Sequence, residues 1–207
     1  MLKVLGRKNS SNVQKVMWAC AEMKVPVERT DIGGPFGGNR EAAYLAKNPN
    51  GLIPTIEEGD FVLWESNAIV RYLGAKHDLG GLFPSNLQER ASADRWMDWQ
   101  LTTLGPTLTP MFMQLVRTSA DKRDPKAIED SRLKTADNLK ILDAHLARNE
   151  YAAGKRFTMG DIPVGIMTYR WFAFPVERPA LPALKAWYDR IAARPAFQEH
   201  VSGIGLT

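Results

Sequence analysis

The chain has 207 residues, 44% hydrophobic and 24% charged, the balance of a globular protein with room for one large domain or two small ones. Its 27 basic and 23 acidic residues are interleaved and leave a net charge of +4, without the one-sided basic patch that nucleic-acid binding requires. No run of about 18 apolar residues offers a membrane span, and the single cysteine, Cys20, excludes an intrachain disulfide, a CxxC redox pair and a structural cysteine zinc site.

The N-terminus has too short an apolar stretch for a signal peptide and reads directly into a strand, Lys3-Val4-Leu5, so a cytoplasmic protein is expected. After the polar loop Gly6 to Ser11, apolar residues at Val13, Val16, Met17, Cys20 and Met23 keep helical steps of three and four. They predict a helix over 12–24. Val25 to Thr30 reads as a second strand, and Gly33-Gly34-Pro35-Phe36-Gly37-Gly38 as a glycine-rich loop. Glu41 to Lys47 makes a short helix stopped by Asn48-Pro49-Asn50-Gly51. Ile53 to Ile56 and Phe61 to Leu63 form a hairpin about Glu58-Gly59-Asp60, and Ser66 to Lys76 is a helix. The order β-α-β-α-β-β-α combines a parallel crossover with an antiparallel hairpin.

Gly80, Gly81 and Pro84 break the pattern, which places a linker at 78–86 between a first domain, 1–77, and an all-α domain, 87–207. Leu87 to Arg117 is a long helical stretch, kinked at Gly105-Pro106 and Pro110. Pro125 to Asn149 is the cleanest amphipathic helix, with Ile128, Thr135, Leu139, Leu142 and Leu146 on one face. Asp161 to Phe174 and Leu181 to Ala193 are two more. Trp96 and Trp99 share a face that packs in the core, lines a pocket or meets a second subunit, with core packing favoured. Trp171, Phe172 and Phe174 carry the same alternatives. His77, His145 and His200 show no ligand spacing and read as surface or structural residues, and Cys20 reads as a small buried apolar one.

Two segments carry candidate chemistry. Ile53-Pro54 stands at a strand start, where proline has no N–H to give to the ladder. A cis bond there would turn the backbone of Ile53 outward for an extended peptide ligand; a trans bond would make it a plain edge turn. Glu65-Ser66 opens a helix, whose N-terminus favours an anion. Ser66 would hold a carboxylate and Glu65 an ammonium, together an amino-acid head group; alternatively Ser66 is only an N-cap.

Asn48-Pro49-Asn50-Gly51-Leu52-Ile53-Pro54 followed by Trp64-Glu65-Ser66-Asn67-Ala68-Ile69 resembles the glutathione-binding half of soluble bacterial glutathione transferases. The resemblance implies a thioredoxin-like first domain that binds glutathione and a helical second domain that forms a pocket for an electrophile. It implies that Ile53, before a cis Pro54, pairs with the cysteinyl backbone of glutathione, and that Glu65 and Ser66 hold the γ-glutamyl end. Asn39 and Arg40 fall where the family often places a side chain near the glycyl carboxylate; as solvated loop residues they are equally well explained. Thr158-Met159-Gly160-Asp161 resembles the N-capping box of the family's buried core helix, a folding role.

The loop Gly6-Arg7-Lys8-Asn9-Ser10-Ser11-Asn12 resembles that of the serine-type theta and phi classes, which places thiol activation on Ser10. A related bacterial type uses a threonine and, two positions later, an asparagine, which maps onto Ser10 and Asn12. By local pattern alone one of Ser10, Ser11 and Asn12 is a helix cap, Asn12 being best placed. The tyrosine of other classes has no counterpart before Tyr44, and Cys20 is too far along the helix to serve as the cysteine of yet others. The expected function is conjugation of the glutathione thiolate to a small hydrophobic electrophile, with glutathione as co-substrate, no metal or bound redox cofactor, no nucleic-acid or membrane partner, and a homodimer. The alternatives are glutathione-dependent peroxide or disulfide reduction on the same site, or a non-catalytic glutathione-binding module.

Overall fold

Strand β1 (Leu2–Leu5) lies inside a mixed sheet of order β2-β1-β3-β4 in the computed structural model, which describes residues 1–206. β1 pairs in parallel with β2 (Val27–Thr30), Val4 opposite Arg29, and antiparallel with β3 (Thr55–Glu58), Val4 opposite Ile56. β3 turns back into β4 (Phe61–Trp64). The crossover from β1 to β2 is helix α1 (Ser11–Glu22), which packs against α3 (Ser66–His77); Val13, Val16 and Cys20 of α1 and Ile69, Val70 and Leu73 of α3 are all buried. A single turn of helix, α2 (Ala42–Leu45), stands between β2 and β3. The β-α-β-α-β-β-α order is the one expected. Strand β3 starts two residues later than the pattern predicts, because Ile53-Pro54 precedes the ladder instead of entering it.

Contacts divide the chain into one unit of Met1–Ser85 with Pro195–Gly205 and another of Asn86–Arg194. This differs from the sequence boundaries at two places. The expected linker is a packed loop of the first unit up to Ser85: Asp78 accepts from the Leu82 N–H at 2.6 Å, and Leu82 is buried. Helix α9 (Pro195–His200) belongs with the first unit rather than with the helices before it. Phe197 and Val201 are fully buried, and the Phe197 ring meets Trp18 of α1 edge-on at 4.9 Å.

In the second unit, Asn86 caps α4 (Leu87–Trp99) by accepting from the N–H groups of Gln88 and Glu89. The predicted long stretch continues through a π-helical turn (Gln100–Leu104), α5 (Gly105–Phe112) and a second π-helical turn (Met113–Arg117). Pro106 and Pro110 lack the N–H groups that a regular ladder needs. Ser131 of α6 (Pro125–Leu146) mends the ladder beside Pro110: its hydroxyl accepts from the Met111 N–H at 3.1 Å and donates to the Thr107 carbonyl. The face of α6 carrying Thr135, Leu139, Leu142 and Leu146 is buried as its period predicts, while Ile128, in the first turn, is only half-buried. Helix α7 (Asp161–Ala173) is buried on all sides from Asp161 to Thr168, and α8 (Pro182–Ala192) turns Leu184, Trp187 and Ile191 inward. Trp96 is core, edge-on to Trp99 at 5.1 Å, and Trp171 and Phe174 are buried, whereas Phe172 is only half-buried.

Candidate glutathione site

The loop after β1 is held at its base by β2. The Gly6 N–H donates to the Thr30 carbonyl at 2.8 Å, the Arg7 N–H to Ile32 at 3.0 Å, and the Arg29 guanidinium to the Gly6 carbonyl at 2.9 Å. Gly6 has a φ of +155°, and a Cβ there would fall 2.6 Å from Val13 Cγ2 and 3.2 Å from Ile53 Cβ. The absence of a side chain at Gly6 is therefore what lets the loop approach Ile53.

Ser10 is the N-cap of α1, and its hydroxyl makes no cap hydrogen bond; the residue is partly exposed. The pattern-based expectation that Asn12 is the cap is corrected. Asn12 lies inside the first turn, and its Oδ1 accepts a hydrogen bond from Ser66 Oγ at 3.2 Å. The side chain is thus spent on α3, 54 residues away.

The Ile53–Pro54 bond is cis, and the backbone N–H and C=O of Ile53 make no hydrogen bond among the described residues. The turn before it is braced from several sides. Asn48 Nδ2 donates to the Leu52 carbonyl at 2.9 Å, Tyr44 donates its hydroxyl to the same carbonyl at 2.6 Å, and Asn39 Nδ2 donates to Gly51 at 2.7 Å. Asn39 is therefore a tie on this turn, while Arg40 is exposed and reaches the Asn50 carbonyl at 3.3 Å. Tyr44 is structural, its hydroxyl pKa raised by burial.

Glu65 joins β4 to α3 with a φ of +72° and ψ of 108°, a strained conformation for a residue with a side chain. It is the N-cap position, makes no cap hydrogen bond, and is exposed. Ser66, the first residue of the helix, is only 6% exposed, so the reading of Ser66 as a mere N-cap does not hold. Behind it lies Lys15 of α1, fully buried, with its Nζ 3.5 Å from Ser66 Oγ. The sequence reading missed Lys15. The available signal was its spacing, three residues after Asn12 and so on the same face of α1.

Cys20 is 1% exposed and its thiol pKa is pushed up to about 12 by burial, consistent with a packing residue. Among the described residues no cluster of His, Cys, Asp and Glu is arranged to hold a metal ion, and no helix is long and apolar enough to cross a membrane.

Residues 9–76 match the family model of the glutathione S-transferase N-terminal domain, and residues 105–195 that of the C-terminal domain. Glutathione S-transferase GstB of Escherichia coli (strain K12) is 40% identical over 204 residues, which span 97% of this chain and 98% of the E. coli protein. The chain belongs to the glutathione S-transferase family. Glutathione S-transferase 3 of Zea mays is 34% identical over 99% of this chain and 95% of its own length. Among solved structures, the theta class glutathione S-transferase of Xanthomonas axonopodis pv. citri with glutathione bound superimposes with a TM-score of 0.96 at 46% identity, covering 100% of this chain and 99% of that one. The fold is that of the family, a four-stranded mixed sheet with its helices followed by a helical domain, and the function is that of a glutathione S-transferase, an enzyme. The non-catalytic alternative is thereby set aside.

Proposed function

We propose that Ser10 activates the thiol of glutathione, which then attacks a small hydrophobic electrophile by addition or by displacement of a leaving group such as halide. The observation that carries this reading is the Ser10 hydroxyl, which stands at the start of α1 and is not consumed as a cap. A free thiol titrates near ~8.5 and is mostly protonated at neutral pH. A hydroxyl donor together with the positive end of α1 lowers that value, each unit corresponding to ~1.4 kcal/mol. The unbonded N–H and C=O of Ile53, beside Pro54, take the cysteinyl backbone as a short ladder. Ser66 takes the γ-glutamyl carboxylate, assisted by the N–H groups opening α3, and Glu65 takes the ammonium. Asn39, whose Nδ2 donates to the Gly51 carbonyl, braces the turn that faces the glycyl end of the ligand.

The first unit, Met1–Ser85 with Pro195–Gly205, is then the glutathione-binding part, and the helices of Asn86–Arg194 supply the surface that selects the electrophile. We further place the protein in the cytoplasm, in detoxification, as a homodimer without nucleic-acid or membrane partners. Support for the dimer comes from apolar side chains left exposed on both units, Phe61 and Trp64 on the edge strand and Leu101 and Ile141 on helices.

A second reading is reduction of a hydroperoxide or mixed disulfide by glutathione. Asn12 keeps it open, because the related bacterial type that it resembles has an asparagine two positions after its threonine, the spacing of Ser10 and Asn12. One panel separates the two: glutathione with an aryl halide, a hydroperoxide and a mixed disulfide. Turnover of the aryl halide supports conjugation, and turnover of only the latter two replaces it with reduction.

A further inference from the structure

Lys15 is a long cationic side chain with no exposed surface, on a helix otherwise buried through Val13, Val16, Trp18 and Ala19. Burying an ammonium is costly unless its charge is used. An ammonium has three donors and no acceptor, so its contact with Ser66 has only one polarity: Nζ donates and Oγ accepts, at 3.5 Å. That assignment fixes the single proton of the Ser66 hydroxyl outward. In the structure it goes to Asn12 Oδ1, at 3.2 Å.

We infer that Lys15 is a specificity-determining residue of the glutathione site, a buried cation that turns the Ser66 proton away from itself and selects ligands carrying a free carboxylate at the γ-glutamyl end. The inference rests on the reading of Glu65-Ser66 as the γ-glutamyl subsite. A carboxylate oxygen only accepts, so it competes with Asn12 Oδ1 for the Ser66 proton, and the field of Lys15 reinforces that of the first turn of α3. A neutral carboxamide in the same place keeps an acceptor but loses the charge. When the carboxylate takes the Ser66 proton, Asn12 loses its donor and its amide is released toward the thiol, beside Ser10. Occupancy of the γ-glutamyl end is thereby coupled to the thiol-activating loop.

The test is a cycle between protein and ligand. S-hexylglutathione and its analogue with the γ-glutamyl α-carboxylate converted to the carboxamide are titrated by calorimetry into the wild type and into Lys15→Met. The wild type is expected to prefer the carboxylate by roughly ten- to a hundredfold, the range of a charge-assisted bond. Lys15→Met should reduce that ratio to a few-fold while binding the carboxamide about as well as the wild type does. A purely structural lysine would weaken both ligands together, and an unchanged ratio overturns the inference. A wild type that binds neither ligand would instead break the glutathione reading itself.

A measurement on the wild type alone covers the case in which Lys15→Met does not fold. A buried charge is poorly screened, so the preference for carboxylate should persist in 0.5 M salt, where the Debye length falls to roughly 4 Å. Loss of the preference in salt assigns it to surface charge and overturns the role given to Lys15.

Discussion

Two helices of this protein start in opposite ways. At the start of α7 the Asp161 carboxylate and the Thr158 hydroxyl are both taken up by partners within the chain. Asp161, with no exposed surface, accepts from the N–H groups of Ala152 (2.8 Å) and Thr158 (2.9 Å), from the Trp187 indole (2.9 Å) and from the Thr158 hydroxyl (3.4 Å). The Thr158 hydroxyl accepts in turn from the Gly160 N–H at 3.3 Å, and a Cβ on Gly160 would fall 2.9 Å from Ala93 Cα, so α7 and α4 touch through backbone. At the start of α3 the cap residue, Glu65, is exposed, strained and without a cap bond, and Ser66 points its one proton at an exposed asparagine. Both starts carry the positive end of a helix. The first has a buried carboxylate of its own chain in its opening turn, and in the proposed function the second receives one from the ligand.

The largest effect expected from this contrast is on stability, at α7. Asp161→Ala leaves three buried N–H donors without a partner, at ~1–3 kcal/mol each, so a loss on the order of 4 kcal/mol is expected in urea denaturation. Activity per folded molecule should be retained; a stable but inactive variant would reverse the roles of the two helix starts.

Asp161 also predicts a pH dependence. Burial raises its pKa from 3.8 to about 6, against the pull of the hydrogen bonds to Ala152, Thr158 and Trp187. The folded state therefore holds a proton that the unfolded state has lost between those two values, and stability falls as pH rises through that window. The contribution is at most roughly 3 kcal/mol. It should show as a wild-type unfolding free energy that decreases between pH 4 and 7 relative to Asp161→Asn, and equal slopes for the two proteins would refute it.

At α3 the expectation shifts from stability toward affinity. Ser66→Ala should weaken glutathione binding by ~1.5–3 kcal/mol in calorimetry, with a stability loss smaller than that of Asp161→Ala, because only one acceptor of the buried Lys15 ammonium is removed. Unchanged affinity would remove the γ-glutamyl assignment.

Ser10→Ala should leave affinity nearly unchanged and raise the pKa of bound glutathione by about one unit or more, followed through thiolate absorbance. Activity at neutral pH should fall roughly tenfold or more and recover in part at high pH. If Asn12→Ala produces the rise and Ser10→Ala does not, the asparagine is the activating donor.

The smallest effect is the one expected of Cys20. With its thiol pKa at about 12 and 1% exposure, the folded protein should resist alkylation by iodoacetamide at pH 8. Rapid labelling would show that α1 opens.

The sequence by itself determined most of the elements and the local patterns from which the candidate site is drawn. Periods of three and four gave α1, α3 and the stripe of α6, because burial of one helix face imposes that spacing. The turn Asn48-Pro49-Asn50-Gly51, the pair Ile53-Pro54, the Glu65-Ser66 opening and the Thr158-to-Asp161 spacing were local patterns with local causes, and each stands where the pattern put it. Tertiary structure decided what depends on a partner distant in sequence. Asn12 fits the pattern of a cap, but Ser66 stands against it, and Lys15, which no local pattern singled out, is buried with its Nζ beside Ser66 of α3. Phe197 and Val201 looked like the end of a helical domain until Trp18 received them. In each case the helical period marks a face without naming what lies opposite, and opposing faces are set by how the chain returns on itself.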